Sequence, residues 1–171
     1  AQEGAVDGWY QTKFTLKEEP LVSILIPNKD HTDDLDVCLN SFFERADYQN
    51  YEFIIIENNS VLPETFAYYE KIEKEHDNVK VVYWEAGFNY SAINNFGFKF
   101  AKGDYIMLLN NDVELITPDI FQSMLGFCMR PEVGIVGAKL LYNDHTVQHA
   151  GVLVGAGGLA DHVFKGIHED D

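Results

Sequence analysis

The sequence predicts an α/β fold: a mostly parallel central sheet flanked by helices, with a small mixed-sheet excursion near the C-terminus. Three observations predict it. Short β-branched apolar runs alternate with amphipathic stretches at helical spacing from residue 21 to residue 128, the pattern of right-handed βαβ crossovers. The runs are nearly continuous rather than alternating, as strands buried on both faces of a parallel sheet must be. Each run also stops abruptly in small polar residues, which places turns beyond the strand ends, where open α/β sheets hold their ligands.

Residues 1–20 mix Gly, charges and isolated aromatics (Trp9, Tyr10, Phe14) and end at Glu18-Glu19-Pro20, so they read as a linker or strap ahead of a domain over residues 21–171. Residues 21–26 form the first strand, stopped by Pro27 and followed by Asn28, Lys29, Asp30 and His31. Thr32 or Asp33 then caps a helix with Leu35, Cys38, Leu39, Phe42 and Phe43 on its inner face. The second strand, residues 51–56, ends in Glu57-Asn58-Asn59-Ser60, and Pro63 opens a helix with Phe66, Tyr69 and Ile72 inward. Residues 79–84 are the third strand. Ser91 caps the next helix, which carries Ala92, Ile93, Phe96 and Phe100 and closes at Lys102-Gly103.

The fourth run, Tyr105-Ile106-Met107-Leu108-Leu109, lies between Gly103-Asp104 and Asn110-Asn111-Asp112 and is too short for an ordinary helix, so it reads as a buried strand. Thr117-Pro118 opens a helix with Ile120, Phe121, Met124, Leu125 and Cys128 inward. Residues 133–142 are a fifth strand interrupted by Gly134 and Gly137, after which Val147 and Val152-Leu153-Val154 suggest further strand until Gly155-Ala156-Gly157-Gly158 breaks it.

At 171 residues and 46% hydrophobic content the chain fits one globular domain with a sizeable core. A formal charge of -16 argues against nucleic acid or an anionic membrane surface as the main partner, since both require a basic face. Cys38 and Cys128 lack metal-ligand spacing and fall on apolar helix faces, so buried thiols in a reducing, cytoplasmic compartment are expected. No apolar run approaches the roughly 18 residues of a membrane span, and no signal-peptide pattern opens the chain. The chain begins at Ala1 rather than Met, which suggests a piece of something longer. Any attachment to the inner face of a membrane would come from parts outside it.

Polar groups gather at three strand ends: Asn28 and Asp30, Glu57 and Asn58, and Asn110 to Asp112. Glu57 stands where dinucleotide-binding folds hold a ribose, although a loop acid or helix cap reads equally well. No Gly-x-Gly-x-x-Gly or Gly-Lys-Ser/Thr loop follows the first strand, so a backbone cradle for phosphates has no support. A hard cation on Asp112 would serve instead, against the plainer reading of Asn-Asn-Asp as a turn. By residue type alone Asn94 and Asn95 are the polar side of an amphipathic helix. His145, His149 and His162 are each a metal ligand, a proton carrier or a loop histidine, and Gly155 to Gly158 is a flexible turn or a place of close approach.

Taken in order, Val22-Ser23-Ile24-Leu25-Ile26-Pro27-Asn28, Cys38-Leu39-Asn40-Ser41, Tyr51 to Ser60, Ser91-Ala92-Ile93-Asn94-Asn95-Phe96-Gly97, Ala101-Lys102-Gly103-Asp104-Tyr105 and Leu109-Asn110-Asn111-Asp112 resemble the catalytic domain of glycosyltransferase family 2, of GT-A fold. The resemblance covers about residues 21 to 154. It is greatest to enzymes of bacterial surface-polysaccharide synthesis, where Asn-Asn-Asp and a later Gln148-His149-Ala150-Gly151 also occur. The resemblance implies an inverting transferase that passes a sugar from a nucleotide-diphosphate sugar donor to a glycan or lipid-linked acceptor. It implies that Pro27 and Asn28 line the base pocket, that Glu57 meets the base or ribose, and that Asn94, Asn95 and Asn111 sit beside the nucleotide.

Asn110 to Asp112 stand where the family carries its Asp-x-Asp metal motif. Asn110 replaces the first acid, so Asp112 is the firm metal ligand, and affinity for manganese or magnesium is expected to be lower than in members with two acids. The family's general base lies in a later segment, expected beyond Asp171, so the domain reads as incomplete at its C-terminus, with Glu169-Asp170-Asp171 a poor substitute. A GT-A-like module that binds nucleotide or glycan without turnover is the alternative. A sugar nucleotidyltransferase is a weaker one, since no basic Gly-rich loop follows the first strand.

Overall fold

The structure, a computed structural model, describes residues 2–3, 10–155 and 158–169. It divides into two compact units, Leu16–Phe121 and a second made of Ala1–Thr15 with Gln122–Asp171.

The first unit holds the predicted alternation: β1 (Val22–Asn28), α1 (Thr32–Arg45), β2 (Tyr51–Glu57), α2 (Pro63–Glu75), β3 (Val79–Tyr83), α3 (Tyr90–Phe98) and β4 (Tyr105–Leu108). The strands form one parallel sheet in the order β3-β2-β1-β4. Successive side chains on a strand face opposite sides, and β2 shows the consequence. Phe53 meets Phe42 and Phe43 of α1 edge to face, with ring centroids 5.6 Å apart in each pair. Its neighbours Ile54 and Ile56 join Leu25, Val82 and Ile93 of α3 in a buried cluster. Helices α1 and α3 therefore cover opposite faces. Because β1 and β2 each have two strand neighbours and both faces covered, Ile24, Leu25, Ile26, Phe53, Ile55 and Ile56 are fully buried.

Several expectations need correction. The fourth strand is not buried on both faces: among the described residues β4 pairs only with β1, and at this edge Leu108 is 53% exposed. Helix α3 is capped by Asn89, whose side chain accepts a hydrogen bond from the Ala92 amide at 2.9 Å, rather than by Ser91. Neither Thr32 nor Asp33 caps α1; both lie inside it, and His31 holds the cap position. The helix after Thr117-Pro118, α4, spans Ile120–Cys128, starting where the Ile120 amide bonds the Thr117 carbonyl. Phe66 is 37% exposed, because α2 turns Thr65, Tyr69 and Ile72 inward instead. Cys38 is buried as expected, whereas Cys128 is half-buried.

In the second unit the expected fifth strand over residues 133–142 shrinks to β5 (Leu140–Leu141), antiparallel to β6 (Val147–His149). Ile135 is 91% exposed between Gly134 and Gly137, and among the described residues no strand pairs with that part of the run. The mixed excursion consists of this pair and a second antiparallel one, β7 (Val152–Val154) with β8 (Ala160–His162). Gln2–Glu3 and Tyr10–Gln11 form another short antiparallel pair. Phe14 packs edge to face on Phe127, centroids 4.7 Å apart. Of the glycine turn, Gly155 and Gly158 adopt φ of 95° and 116°, conformations that favour glycine; residues 156 and 157 lie outside the described residues.

Candidate functional site

The chain runs from β1 outward to β2 and β3, then crosses back to lay β4 on the other side of β1. The gap between the carboxyl ends of β1 and β4 is therefore the topological switch point, where open α/β sheets bind ligands. The register pairs Leu25 with Leu108, so Asn28 and the Asn110-Asn111-Asp112 loop emerge side by side.

A single hydrogen-bond chain joins these strand ends. Asn111 Nδ2 donates to Asn28 Oδ1 at 2.7 Å, Asn28 Nδ2 donates to the Tyr69 hydroxyl at 2.8 Å, and that hydroxyl donates to Glu57 Oε2 at 2.9 Å. Glu57 also accepts from the Ser60 amide and hydroxyl, both at 2.5 Å. Asn28 and Glu57 are each 3% exposed and Tyr69 1%. Burial, with the Glu57 charge beside it, holds the Tyr69 hydroxyl well above its ordinary pKa, so it remains a donor.

The loops that frame the chain are pinned as well. Asp30, at φ 58°, accepts from the Val61 and Leu62 amides at 3.0 Å each and from the Thr65 hydroxyl at 3.2 Å, so a residue after β1 ties down the start of α2. The Leu62 amide is the main cause that holds the Asp30 carboxyl below its ordinary range. Asn58 and Asn59 both donate to the Ala86 carbonyl, which fixes the loop before α3. The Asn110-Asn111-Asp112 loop rests on α1: the Cys38 thiol lies 3.9 Å from the Asn110 carbonyl oxygen, Ser41 Oγ accepts from the Leu115 amide at 2.9 Å, and Arg45 donates to the Leu115 carbonyl at 2.8 Å.

Asn28, Glu57 and Asn111 are thus brought together, with Pro27 half-buried beside Asn28. Asn94 is buried, and its amide nitrogen bonds the Tyr90 carbonyl at 2.9 Å, which leaves Oδ1 a buried acceptor without a partner. Such an orphan calls for a donor that the described residues do not supply, such as an ordered water. Asn95, Asn110 and Asp112 are exposed. Tyr69 and Ser60 had no place among the residues chosen from sequence. The signals for them were a tyrosine on a buried helix face, whose hydroxyl needs a partner, and a serine three residues after an acid.

The donor set suits a hard cation in kind: one carboxylate on Asp112 and amide oxygens on Asn110 and Asn111. Among the described residues no group of three His, Cys, Asp or Glu side chains gathers into a metal site. The set fits a cation whose coordination is completed by oxygens of a ligand, not one enclosed by protein. His145, His149 and His162 belong to the second unit. His149 and His162 meet with Nδ1 atoms 2.8 Å apart, and His145 pairs with Glu169 at 2.6 Å. An open cavity of about 430 Å³ there is lined by Lys139, His149 and Gly151 among others. Asp170 and Asp171 lie outside the described residues. Among the described residues no helix is long and apolar enough to cross a membrane.

Among relatives, an uncharacterized protein of Sinorhizobium fredii, y4gI, is 40% identical over 168 residues, covering 96% of this chain and 18% of the relative. The O-antigen biosynthesis protein RfbC of Myxococcus xanthus is 41% identical over 155 residues, covering 91% and 12%. The chain therefore spans less than a fifth of either relative's length. A mannosyltransferase of Pyrobaculum calidifontis, solved with GDP-Man and Mn2+, superposes with a TM-score of 0.62 at 16% identity, over 69% of this chain and 35% of that one. S. aureus TarS with UDP-GlcNAc superposes at 0.52 and 16%, over 70% and 40%. These likenesses identify the fold as GT-A. The sequence model of Glycosyl transferase family 2 matches residues 23–152, and the chain belongs to that family.

Proposed function

We propose that this chain is the donor-binding part of an inverting glycosyltransferase that uses a nucleotide-diphosphate sugar and a divalent cation, manganese or magnesium, in polysaccharide synthesis. The observation that carries this reading is the hydrogen-bond chain from Glu57 through Tyr69 and Asn28 to Asn111, which ties an acid at the β2 end to the Asn-Asn-Asp loop across the switch point. The donors in the two solved complexes, GDP-Man with Mn2+ and UDP-GlcNAc, support the ligand class, and the O-antigen role of RfbC supports the pathway class.

In this reading Glu57, with three donors already on its two oxygens, has capacity for one more, such as a base imino N–H or a ribose hydroxyl. Pro27 and Asn28 form the wall beside the base. Asn94 and Asn95 sit beside the nucleotide. Asp112, with Asn110 and Asn111, faces the diphosphate side. A divalent cation held by Asp112 with Asn110 and Asn111 would supply Lewis-acid stabilisation to the diphosphate leaving group. An acceptor hydroxyl on a glycan or lipid-linked acceptor forms the new bond to the anomeric carbon as the bond to the diphosphate breaks. Its proton passes to a carboxylate outside this chain. The unpaired cysteines fit a cytoplasmic setting.

Calorimetric titration with UDP, GDP and dTDP, with and without manganese, tests the reading. One nucleotide is expected to bind in a manganese-dependent way, and Asp112→Ala is expected to remove that dependence. Equal binding by the parent and Asp112→Ala would refute the assignment of Asp112.

A further inference from the structure

We infer that Tyr69 is a positioning residue which, through Asn28, orients the Asn111 side chain so that its carbonyl oxygen, not its amide nitrogen, is presented as an oxygen ligand beside Asp112. The inference rests on the donor-site reading above and deepens it.

Hydrogen-bond polarity sets this orientation. Amide groups can turn end for end, so their orientation must be fixed by partners whose roles are not in doubt. Glu57 is such a partner. The Ser60 amide can only donate, and it donates to Oε1. The Ser60 hydroxyl accepts from the Asp30 amide at 2.8 Å and donates to Oε2. The Tyr69 hydroxyl has one proton, and Glu57 Oε2 takes it. The tyrosine oxygen therefore meets Asn28 as an acceptor, and Asn28 must face it with Nδ2. Asn28 Oδ1 then faces Asn111, whose Nδ2 must be the donor. Asn111 Oδ1 is left as the acceptor end of the chain.

That end is what a hard cation takes, whereas the amide nitrogen would repel it. The loop has only one charged ligand, and a neutral oxygen of fixed orientation there adds affinity that Asp112 alone lacks. Without the tyrosine hydroxyl, Asn28 Nδ2 keeps only a 3.5 Å contact with the Asp30 carbonyl. Both amides are then free to reverse. The ring of Tyr69 would pack equally well without its hydroxyl, so packing does not account for the contact.

The test is calorimetric titration of the full chain with UDP, GDP and dTDP, with and without manganese, on the parent, Tyr69→Phe, Asn111→Ala and the double variant. In Tyr69→Phe the enhancement of nucleotide affinity by manganese should fall about 5- to 10-fold, the scale of one net hydrogen bond. Affinity without manganese is the reference against which that enhancement is read. The double variant should lose no more than Asn111→Ala alone, since both cut the same chain. Additive losses, or a Tyr69→Phe chain with a lower melting temperature but full manganese enhancement, overturn the inference. Asn111 lies at the half-exposed end, so if Tyr69→Phe does not fold, full manganese enhancement in Asn111→Ala overturns it equally. A parent chain without manganese-dependent binding overturns the donor-site reading and the purpose of the relay together. Binding by the parent with an indifferent Tyr69→Phe overturns the relay alone.

Discussion

Cys38 shows how one side chain supports the site without entering its chemistry. It is fully buried on α1 beneath the Asn110 carbonyl, and burial, followed by the Asp112 charge, pushes its thiol from the ordinary 9.0 up to about 12. The thiol is therefore neutral throughout the physiological range and inert as a nucleophile. The folded state favours the protonated thiol, so its contribution is fully present below pH 9.0 and is lost as pH rises toward about 12. Within that window an unfolded chain ionises the thiol and the folded chain does not, a slope of about 1.4 kcal/mol per pH unit. Tyr48, also held up to about 12, acts in the same direction. Urea unfolding across pH 8.5 to 11, by order of magnitude the span in which thiols titrate, should show falling stability, with a shallower slope in Cys38→Ala. Identical slopes would show that Cys38 ionises alike in both states.

At the scale of elements, the approach of β4 to β1 depends on Gly103. A Cβ there would lie 2.6 Å from the Leu21 carbonyl oxygen and 2.7 Å from the Ser23 amide nitrogen, both backbone atoms that have no room to yield. Gly103→Ala should therefore cost about 1–3 kcal/mol in urea unfolding, and it should disturb the loop that β4 carries. Gly87→Ala, with nothing within 4 Å, is the near-neutral control. Equal stability of the two variants would contradict this account of the strand contact. The same scale explains what was legible in the sequence. Strands β1 and β2 could be read because two neighbours and two covered faces demand continuous apolar runs. The edge position of β4 could not, since its residues match those of a central strand and only the pairing tells them apart. Residues 133–139 misled for the same reason. The Asn89 cap was missed because Asn89 and Ser91 are both good caps and only the backbone path chooses between them.

For the molecule as a whole, the legible part of the site was its placement. Strand ends named Asn28, Glu57 and Asn111, and the fold brings them to one point. The connection among them was not legible, because Tyr69 is 41 residues from Asn28 and reads as an ordinary core aromatic. The His149–His162 contact in the second unit was equally hidden by its spacing. We propose that a nucleotide diphosphate and a divalent cation bind together at the ends of β1, β2 and β4. Paramagnetic broadening of the amide NMR spectrum by equimolar manganese, in the presence of whichever nucleotide binds, tests it most directly. The account predicts that broadening centres on residues 110–112 and extends to Asn28, and that Asp112→Ala abolishes it. Broadening centred on His149 and His162, or a pattern unchanged in Asp112→Ala, would contradict it.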